Sequence, residues 1–331
     1  MPRKKRILSG MRPTGRLHLG NYVGALENWV ALQDEYENFH LVADWHTLTT
    51  DVEHTKNIPT HTFEMVVDWI AAGIDPEKSP IFIQSKVKSH AELYLIFNML
   101  ISTGRLERNP TLKEQVRDLS LESTVSIGHL SYPVLQAADI LMYKGEVVPV
   151  GEDQLPHIEI TRELARRFNN LYAADAPIFP EPEGKLTRFP RLTGTDGNRM
   201  SKSLGNTILL SDEPDEIQKK MRRAVTDPEK VRRNDPGHPD ICLVFGYHQK
   251  FNPSEIDEIR SGCESGALGC VDCKLNCSRK LIDHLAPMRE KREELVSRPE
   301  EVKAIIEDGN RRANEIASKT MAEVHEAMGF G

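Results

Sequence analysis

The stretch Pro13-Thr14-Gly15-Arg16-Leu17-His18-Leu19-Gly20-Asn21 organises the reading of the whole chain. It follows a short apolar run, Ile7-Leu8-Ser9-Gly10, and opens an amphipathic segment near Asn21. Within 21–36 the residues Tyr22, Leu26, Trp29 and Val30 recur at i, i+4, i+7 and i+8, the spacing of one helix face. In a strand–turn–helix of this kind, glycines let backbone N–H groups approach phosphates and the helix start favours negative charge. Far downstream, Arg199-Met200-Ser201-Lys202-Ser203 supplies cations and hydroxyls suited to clamping a polyphosphate.

Outward from the first stretch, short apolar runs at 7–10, 39–44, 80–84 and 147–150 read as strands. Between them, helical patterns occupy 21–36, 60–73, 90–101, 132–144 and 154–173. Such alternation predicts an α/β fold, a Rossmann-type parallel sheet with helices on both faces. Prolines and glycines then crowd the segment from Pro177 through Pro180, Pro182, Gly184, Pro190, Gly194 and Gly197, which is expected to lack regular structure. The segment ends at Arg199 to Ser203, placing that motif on a mobile loop that can close over a ligand. From about 211 onward only helices are expected. Asn252-Pro253-Ser254-Glu255 and Ser297-Arg298-Pro299-Glu300 read as capped helix starts, and Gly309 as a weak point in the last helix. The expected division is a catalytic domain over 1–198, a signature loop over 199–210 and a helical domain over 211–331, with packing of the last helix back on the catalytic domain left open.

With 331 residues, 39% hydrophobic, the chain is long enough for about two ordinary cores. No apolar run approaches the roughly 20 residues of a membrane span. The basic leader Pro2-Arg3-Lys4-Lys5-Arg6 is followed only by Ile7 and Leu8 before Ser9-Gly10, so it reads as a solvated tail. A cytoplasmic location and no membrane partner are expected. A net charge of −7 argues against indiscriminate coating of nucleic acid. A local basic stretch nevertheless runs from Lys219 through Lys220, Arg222, Arg223, Lys230 and Arg232 to Arg233.

A third block is Tyr132-Pro133-Val134-Leu135-Gln136-Ala137-Ala138-Asp139-Ile140-Leu141, followed by Val148-Pro149-Val150-Gly151-Glu152-Asp153-Gln154. Tyr132, Gln136 and Asp139 share a helix face, which makes them either ordinary satisfied polar residues or the floor of a pocket for a small polar ligand. Gly151 to Gln154 falls at the C-terminal end of a strand, where open α/β sheets bind ligands, and offers a second wall.

His18-Leu19-Gly20-Asn21 and Arg199 to Ser203 resemble the HIGH and KMSKS signatures of class I aminoacyl-tRNA synthetases. The third block, with the run from Asn21 through Gly24 and Leu26, resembles the bacterial tryptophanyl-tRNA synthetase family, and the likeness extends from residue 6 to Gly329. That resemblance implies a homodimer, with about 85–140 at its interface, acting on L-tryptophan, ATP and tRNA(Trp), with Mg²⁺. It implies that Asp139 accepts the indole N–H, that Tyr132 and Gln154 face the α-amino group, and that Gly10, His46, Gln136 and Val150 belong to the same pocket. It places Arg12, Pro13, Thr14, Gly20 and Asn21 on ATP, Gly151, Glu152 and Asp153 by its ribose, and Lys113 with Arg199, Met200, Ser201, Lys202 and Ser203 about its phosphates. The tryptophan carboxylate would attack the α-phosphate, and the 2′-hydroxyl of the terminal adenosine would then take the tryptophanyl group. Catalysis would rest on His18, Asn21, Lys113, Arg199 and Lys202, by positioning and charge stabilisation, with no catalytic base. Three positions differ from the family pattern: Arg199 stands for lysine, Asn21 for histidine and Arg12 for glutamine. The related tyrosine enzymes resemble Tyr-x-Gly at the end of the first strand, where this chain has Leu8-Ser9-Gly10.

Cysteine spacing is a separate signal. Cys242, Cys263, Cys270 and Cys273, with Cys277 beyond, suit a metal or redox site better than disulfides in a cytosolic chain. A cluster, a Cys₄ zinc site and unliganded thiols remain open on spacing alone. A subset of the bacterial family resembles this spacing and carries a [4Fe–4S] cluster, which implies Cys242, Cys263, Cys270 and Cys273 as its ligands. His18 and His46 are the histidines with a positional argument, and the others read as surface or packing residues. Trp29, Trp45 and Trp69 read as core or pocket wall.

Overall fold

A computed structural model describes residues 3–118, 125–186 and 192–330. Pro2 of the basic leader, Pro190 and residues 119–124 of the expected interface segment lie outside the described residues. The chain divides into two compact units. One comprises Met1–Gly15, Asn28–Arg188 and Arg298–Gly331; the other comprises Arg16–Glu27 and Phe189–Ser297. In this division the first signature turn groups with the later residues and the last helix with the earlier ones.

The first unit is built on a parallel sheet of β1 (Arg6–Met11), β2 (Glu37–Val42), β3 (Ile81–Ile83), β4 (Val147–Val150) and β5 (Glu183–Leu186), in the order β3-β2-β1-β4-β5. β1 runs in register with β2 from Arg6 opposite Glu37 to Met11 opposite Val42, and Ile7 pairs with Val147 on the other side. Ile7 to Ser9 of β1 and Asn38 to Val42 of β2 are buried, as parallel strands covered on both faces must be. Leu8, Phe39, Leu41 and Phe82 meet the helices Ile127–Met142 and Leu155–Tyr172 in one core. On the opposite face His40 stacks on Trp29 with ring centroids 5.0 Å apart, and Trp69 packs edge-on against Trp29. The sequence order reverses on either side of β1, so the C-terminal ends of β1 and β4 flank the crevice where such sheets bind ligands.

The structure corrects several expectations. β5 lies inside the proline-rich segment, pairing with β4 from Val147 opposite Glu183 to Val150 opposite Leu186. It is an edge strand, where proline neighbours cost no ladder bond on the open side. At Gly184 a Cβ would stand 2.7 Å from Leu155 Cδ2, so glycine lets the strand lie close to its covering helix. β2 stops at Val42, and Asp44 opens a helical turn (Asp44–Leu48), its carboxylate accepting from the Trp45 and Ser85 N–H groups. Neither expected capping box forms. The Asn252 amide donates to Glu255, and the Ser297 hydroxyl donates back to the Glu294 carbonyl. The last helix runs unbroken over Pro299–Met328, through Gly309, and packs along β3 in the same unit.

In the second unit the helices Pro214–Arg223 and Leu243–Phe251 pack on the long helix Cys270–Ser297. Tyr247, fully buried, donates its hydroxyl to the Thr193 carbonyl at 2.8 Å and ties this helical layer to the strand-like turn ahead of Arg199.

Candidate active site

In the first unit, polar residues collect where the strands end. Gly10 is the last residue but one of β1, and a Cβ there would stand 2.7 Å from the Leu41 carbonyl oxygen, so only glycine allows the tight β1–β2 approach at this point. His46 sits in the turn after β2, Gln84 directly after β3, and Gly151 after β4. Asp139 lies on the helix Ile127–Met142 with Tyr132 and Gln136; Asp139 and Tyr132 are buried and Gln136 is half-buried.

Asp139 is 2% exposed, and its carboxylate is engaged from three sides. Gln84 Nε2 donates to Oδ1 at 2.7 Å, His90 Nδ1 lies 2.6 Å from the same oxygen, and His46 Nε2 lies 2.8 Å from Oδ2. Burial alone would raise its pKa, but the bonds from His46 and His90 outweigh burial and hold the carboxyl below its ordinary value. An ionised carboxylate only accepts, so both imidazoles donate to it.

The Tyr132 hydroxyl is 2.7 Å from His157 Nε2, and the other His157 nitrogen is 2.9 Å from the Asn109 amide. Burial keeps His157 neutral, lowering its pKa to about 4, and pushes the Tyr132 phenol well above its ordinary value. Amide Nδ2 donates to His157 Nδ1, so Nε2 carries the proton that the Tyr132 oxygen accepts. Gln154 donates to Asp153 at 3.0 Å, and the Thr111 hydroxyl donates to the Asp153 carbonyl at 2.7 Å. Arg12 donates to Thr50 at 2.9 Å. Lys113 is exposed on the helix Pro110–Asp118.

His90 and His157 correct the assignment of all histidines but two to surface or packing roles. Both are fully buried and hydrogen-bonded to the polar residues of this pocket. His157 follows Gln154, the end of the third block, by three residues, so a neighbouring signal for it was present; His90 had none.

In the second unit the two signature stretches meet. His18 and Asn21 clamp each other: the His18 ring Nδ1 accepts from the Asn21 N–H at 3.3 Å, and Asn21 Oδ1 accepts from the His18 N–H at 3.2 Å. A π-helical turn, Tyr22–Leu26, follows directly. Such turns widen a helix and occur often at functional sites. Gly20 N–H points at Met200 Sδ, 3.2 Å away, and a Cβ at Gly20 would stand 3.0 Å from the His18 ring. Leu17 and Leu19 exchange backbone bonds with Leu210 and Ile208, which fixes the later stretch beside the turn. Asn206, buried, anchors the loop by accepting from Ser201 N–H and donating to the Arg199 carbonyl and Asp196. Arg199, Lys202 and Ser203 are exposed, and Ser201 and Ser203 share a hydrogen bond at 2.9 Å. The His18 pKa falls to about 4, first through burial and then through the Lys202 and Arg199 charges. The ring is neutral near pH 7, and because Nδ1 accepts, Nε2 carries its hydrogen.

The cysteines lie in the same unit. Cys242 precedes the helix Leu243–Phe251, Cys263 ends the helix Ile256–Glu264, and Cys270 and Cys273 form the first turn of Cys270–Ser297. All four are half-buried, whereas Cys277 is buried. Burial pushes the Cys273 thiol up to about 12, with further contributions from Cys242, Cys263 and Cys270. The same physical cause raises Cys277 further. Among the described residues no group of three or more His, Cys, Asp and Glu side chains is placed to hold a metal ion, and no helix is long and apolar enough to cross a membrane.

A family model for class I tRNA synthetases of the W and Y type matches residues 2–286. A tryptophan–tRNA ligase of Thermotoga maritima is 52% identical over 326 residues, covering 98% of both chains. One from Aquifex aeolicus is 44% identical over 98% of this chain and 99% of its own. A Campylobacter jejuni tryptophanyl-tRNA synthetase solved with ADP and tryptophan superposes with a TM-score of 0.86 at 33% identity, over 98% of this chain and 99% of that one.

Proposed function

The chain belongs to the class I tRNA synthetases of the tryptophan and tyrosine type, and on that premise we propose that it is a tryptophan–tRNA ligase. It activates L-tryptophan with ATP and transfers the tryptophanyl group to tRNA(Trp) in the cytoplasm. The observation that carries the choice of amino acid is Asp139, a buried, ionised acceptor among donors. Tryptophan offers a single side-chain polar group, a donor, which such an acceptor fits. Phenylalanine would leave the remaining acceptor direction of Oδ2 unpaired, and comparable sites reject the analogue by about 10⁴–10⁵-fold.

The tryptophan carboxylate is already charged and attacks the α-phosphate without a base, releasing pyrophosphate. Gln154 and Tyr132 hold the α-amino group, with Gly10, His46, Gln136 and Val150 about the same ligand. Arg12, Pro13 and Thr14 meet ATP, and Gly151, Glu152 and Asp153 meet its ribose. The Nε2–H of neutral His18 donates to phosphate, and Asn21, whose carbonyl oxygen is committed to the turn, turns its amide hydrogens to the same charge. Gly20, Met200, Ser201 and Ser203 line this group of donors, while Lys113, Arg199 and Lys202 offset charge that grows in the transition state, together with Mg²⁺. The exposed Leu95, Met99 and Ile127 support a homodimer through 85–140.

The second reading is a [4Fe–4S] cluster on Cys242, Cys263, Cys270 and Cys273. Four half-buried thiols are a soft donor set suited to iron–sulfur. The group would brace the helical unit that faces tRNA.

Tryptophan-dependent ATP–pyrophosphate exchange tests the main reading. Asp139→Ala should lower kcat/KM for tryptophan by orders of magnitude; a near-wild-type variant, or exchange driven by tyrosine, would remove the assignment.

A further inference from the structure

Asp139 Oδ1 has both its acceptor directions taken, by Gln84 Nε2 at 2.7 Å and His90 Nδ1 at 2.6 Å. Among the described residues Oδ2 carries only His46 Nε2, at 2.8 Å. Behind His90, its Nε2 lies 2.8 Å from the Tyr143 hydroxyl. His90 thus joins Asp139 through Nδ1, which donates to the carboxylate, and Tyr143 through Nε2. Both rings are fully buried, and Tyr143 is wedged between Phe39 at 5.3 Å and Phe82 at 5.0 Å. His90 comes from the helix Ser89–Asn98, and Tyr143 directly follows the helix that bears Asp139. The chain Tyr143–His90–Asp139 therefore joins separate elements through two short bonds.

We propose that Tyr143 and His90 are positioning residues that lock Oδ1, leaving Oδ2 as the single directional acceptor, and that they thereby set selectivity for an aromatic ring bearing an N–H donor. The proposal rests on the reading of Asp139 as the indole acceptor. A carboxylate free to rotate would present either oxygen and could turn away from a ring lacking a donor, which blunts the penalty for the wrong ligand.

The test uses the full chain and two substrates in ATP–pyrophosphate exchange: L-tryptophan and its isostere in which sulfur replaces the ring N–H. Wild type should strongly prefer tryptophan. Tyr143→Phe should narrow that preference about tenfold, the effect of roughly one hydrogen bond, through a raised tryptophan KM, with the isostere little changed. His90→Leu should narrow it similarly, whereas His90→Asn, which keeps a donor toward Oδ1, should restore much of it. The His90 pair decides the matter where Tyr143→Phe fails to fold. Equal losses for both substrates, or an unchanged preference, would overturn the positioning role while leaving Asp139 as acceptor intact. No preference in wild type would overturn the acceptor reading itself, and the positioning role with it.

Discussion

A methyl group at Gly309 would stand 1.8 Å from the carbonyl oxygen of Ile81, so the last helix touches the backbone of β3 at a point where no side chain fits. One residue on, Asn310 Oδ1 accepts from the Ile83 N–H at 2.9 Å and satisfies a donor on the open side of this edge strand. Gly309→Ala should therefore destabilise the protein by about 3 kcal/mol or more, the upper end of overpacking costs. Asn310→Ala should cost about 1 kcal/mol. Urea unfolding followed by circular dichroism measures both, and an unaffected Gly309→Ala would mean that the helix can slide outward freely.

His18→Ala removes a neutral donor from the signature turn. Loss of one such transition-state contact typically lowers kcat by about 10²–10³-fold. The expected result is that size of fall in exchange, with tryptophan KM little changed. Because the ring protonates only near pH 4, wild-type kcat should show no step from this group between pH 7 and pH 5. A step there that vanishes in the variant would contradict the neutral assignment.

His40 is fully buried, neither ring nitrogen has a partner among the described residues, and burial lowers its pKa to about 3. Between about 3 and the ordinary value of 6.5 the unfolded chain binds a proton that the folded chain refuses. Stability from this group is thus complete above 6.5 and declines as pH falls toward 3. His40→Phe keeps the stack on Trp29 and removes the proton site, so it should flatten the loss of stability from pH 7 to pH 4. Denaturation midpoints at the two pH values give the comparison; equal slopes in both proteins would exclude this contribution.

Iron, acid-labile sulfide and zinc per chain on anaerobically purified protein test the cysteine reading. Near four irons and four sulfides per chain are expected, with Cys273→Ser losing both. One zinc without sulfide would replace the cluster by a structural ion. No metal at all would leave the four as ordinary thiols.

Periodicity and turn chemistry made four of the five strands, the major helices and both signature stretches legible, because those signals are local. β5 was hidden because its pairing is with β4, while the neighbouring Pro180 and Pro182 and its own Gly184 argue for a loop. The π-helical turn Tyr22–Leu26 kept the apolar spacing of an ordinary helix and so left no trace. Within the pocket, Asp139 and Tyr132 stood out by sharing a helix face with apolar neighbours. His90 did not, since its meaning depends on Asp139 and Tyr143, some 50 residues away in the chain and adjacent only once folded. Asn252 and Ser297 show the reverse failure, a correct local pattern whose side chains found other partners.

The covering of β3 by the Pro299–Met328 helix also bears on the order of events at the ribosome. β1 to β5 leave the exit tunnel before residues beyond 298, so the nascent sheet must wait with the backbone of Ile81 and Ile83 bare while more than a hundred residues of the other unit are made. During that interval the strand is a template for a neighbouring nascent chain. The final helix thus acts as a late-arriving guard, and holdase chaperones have most to protect in chains stalled just short of it.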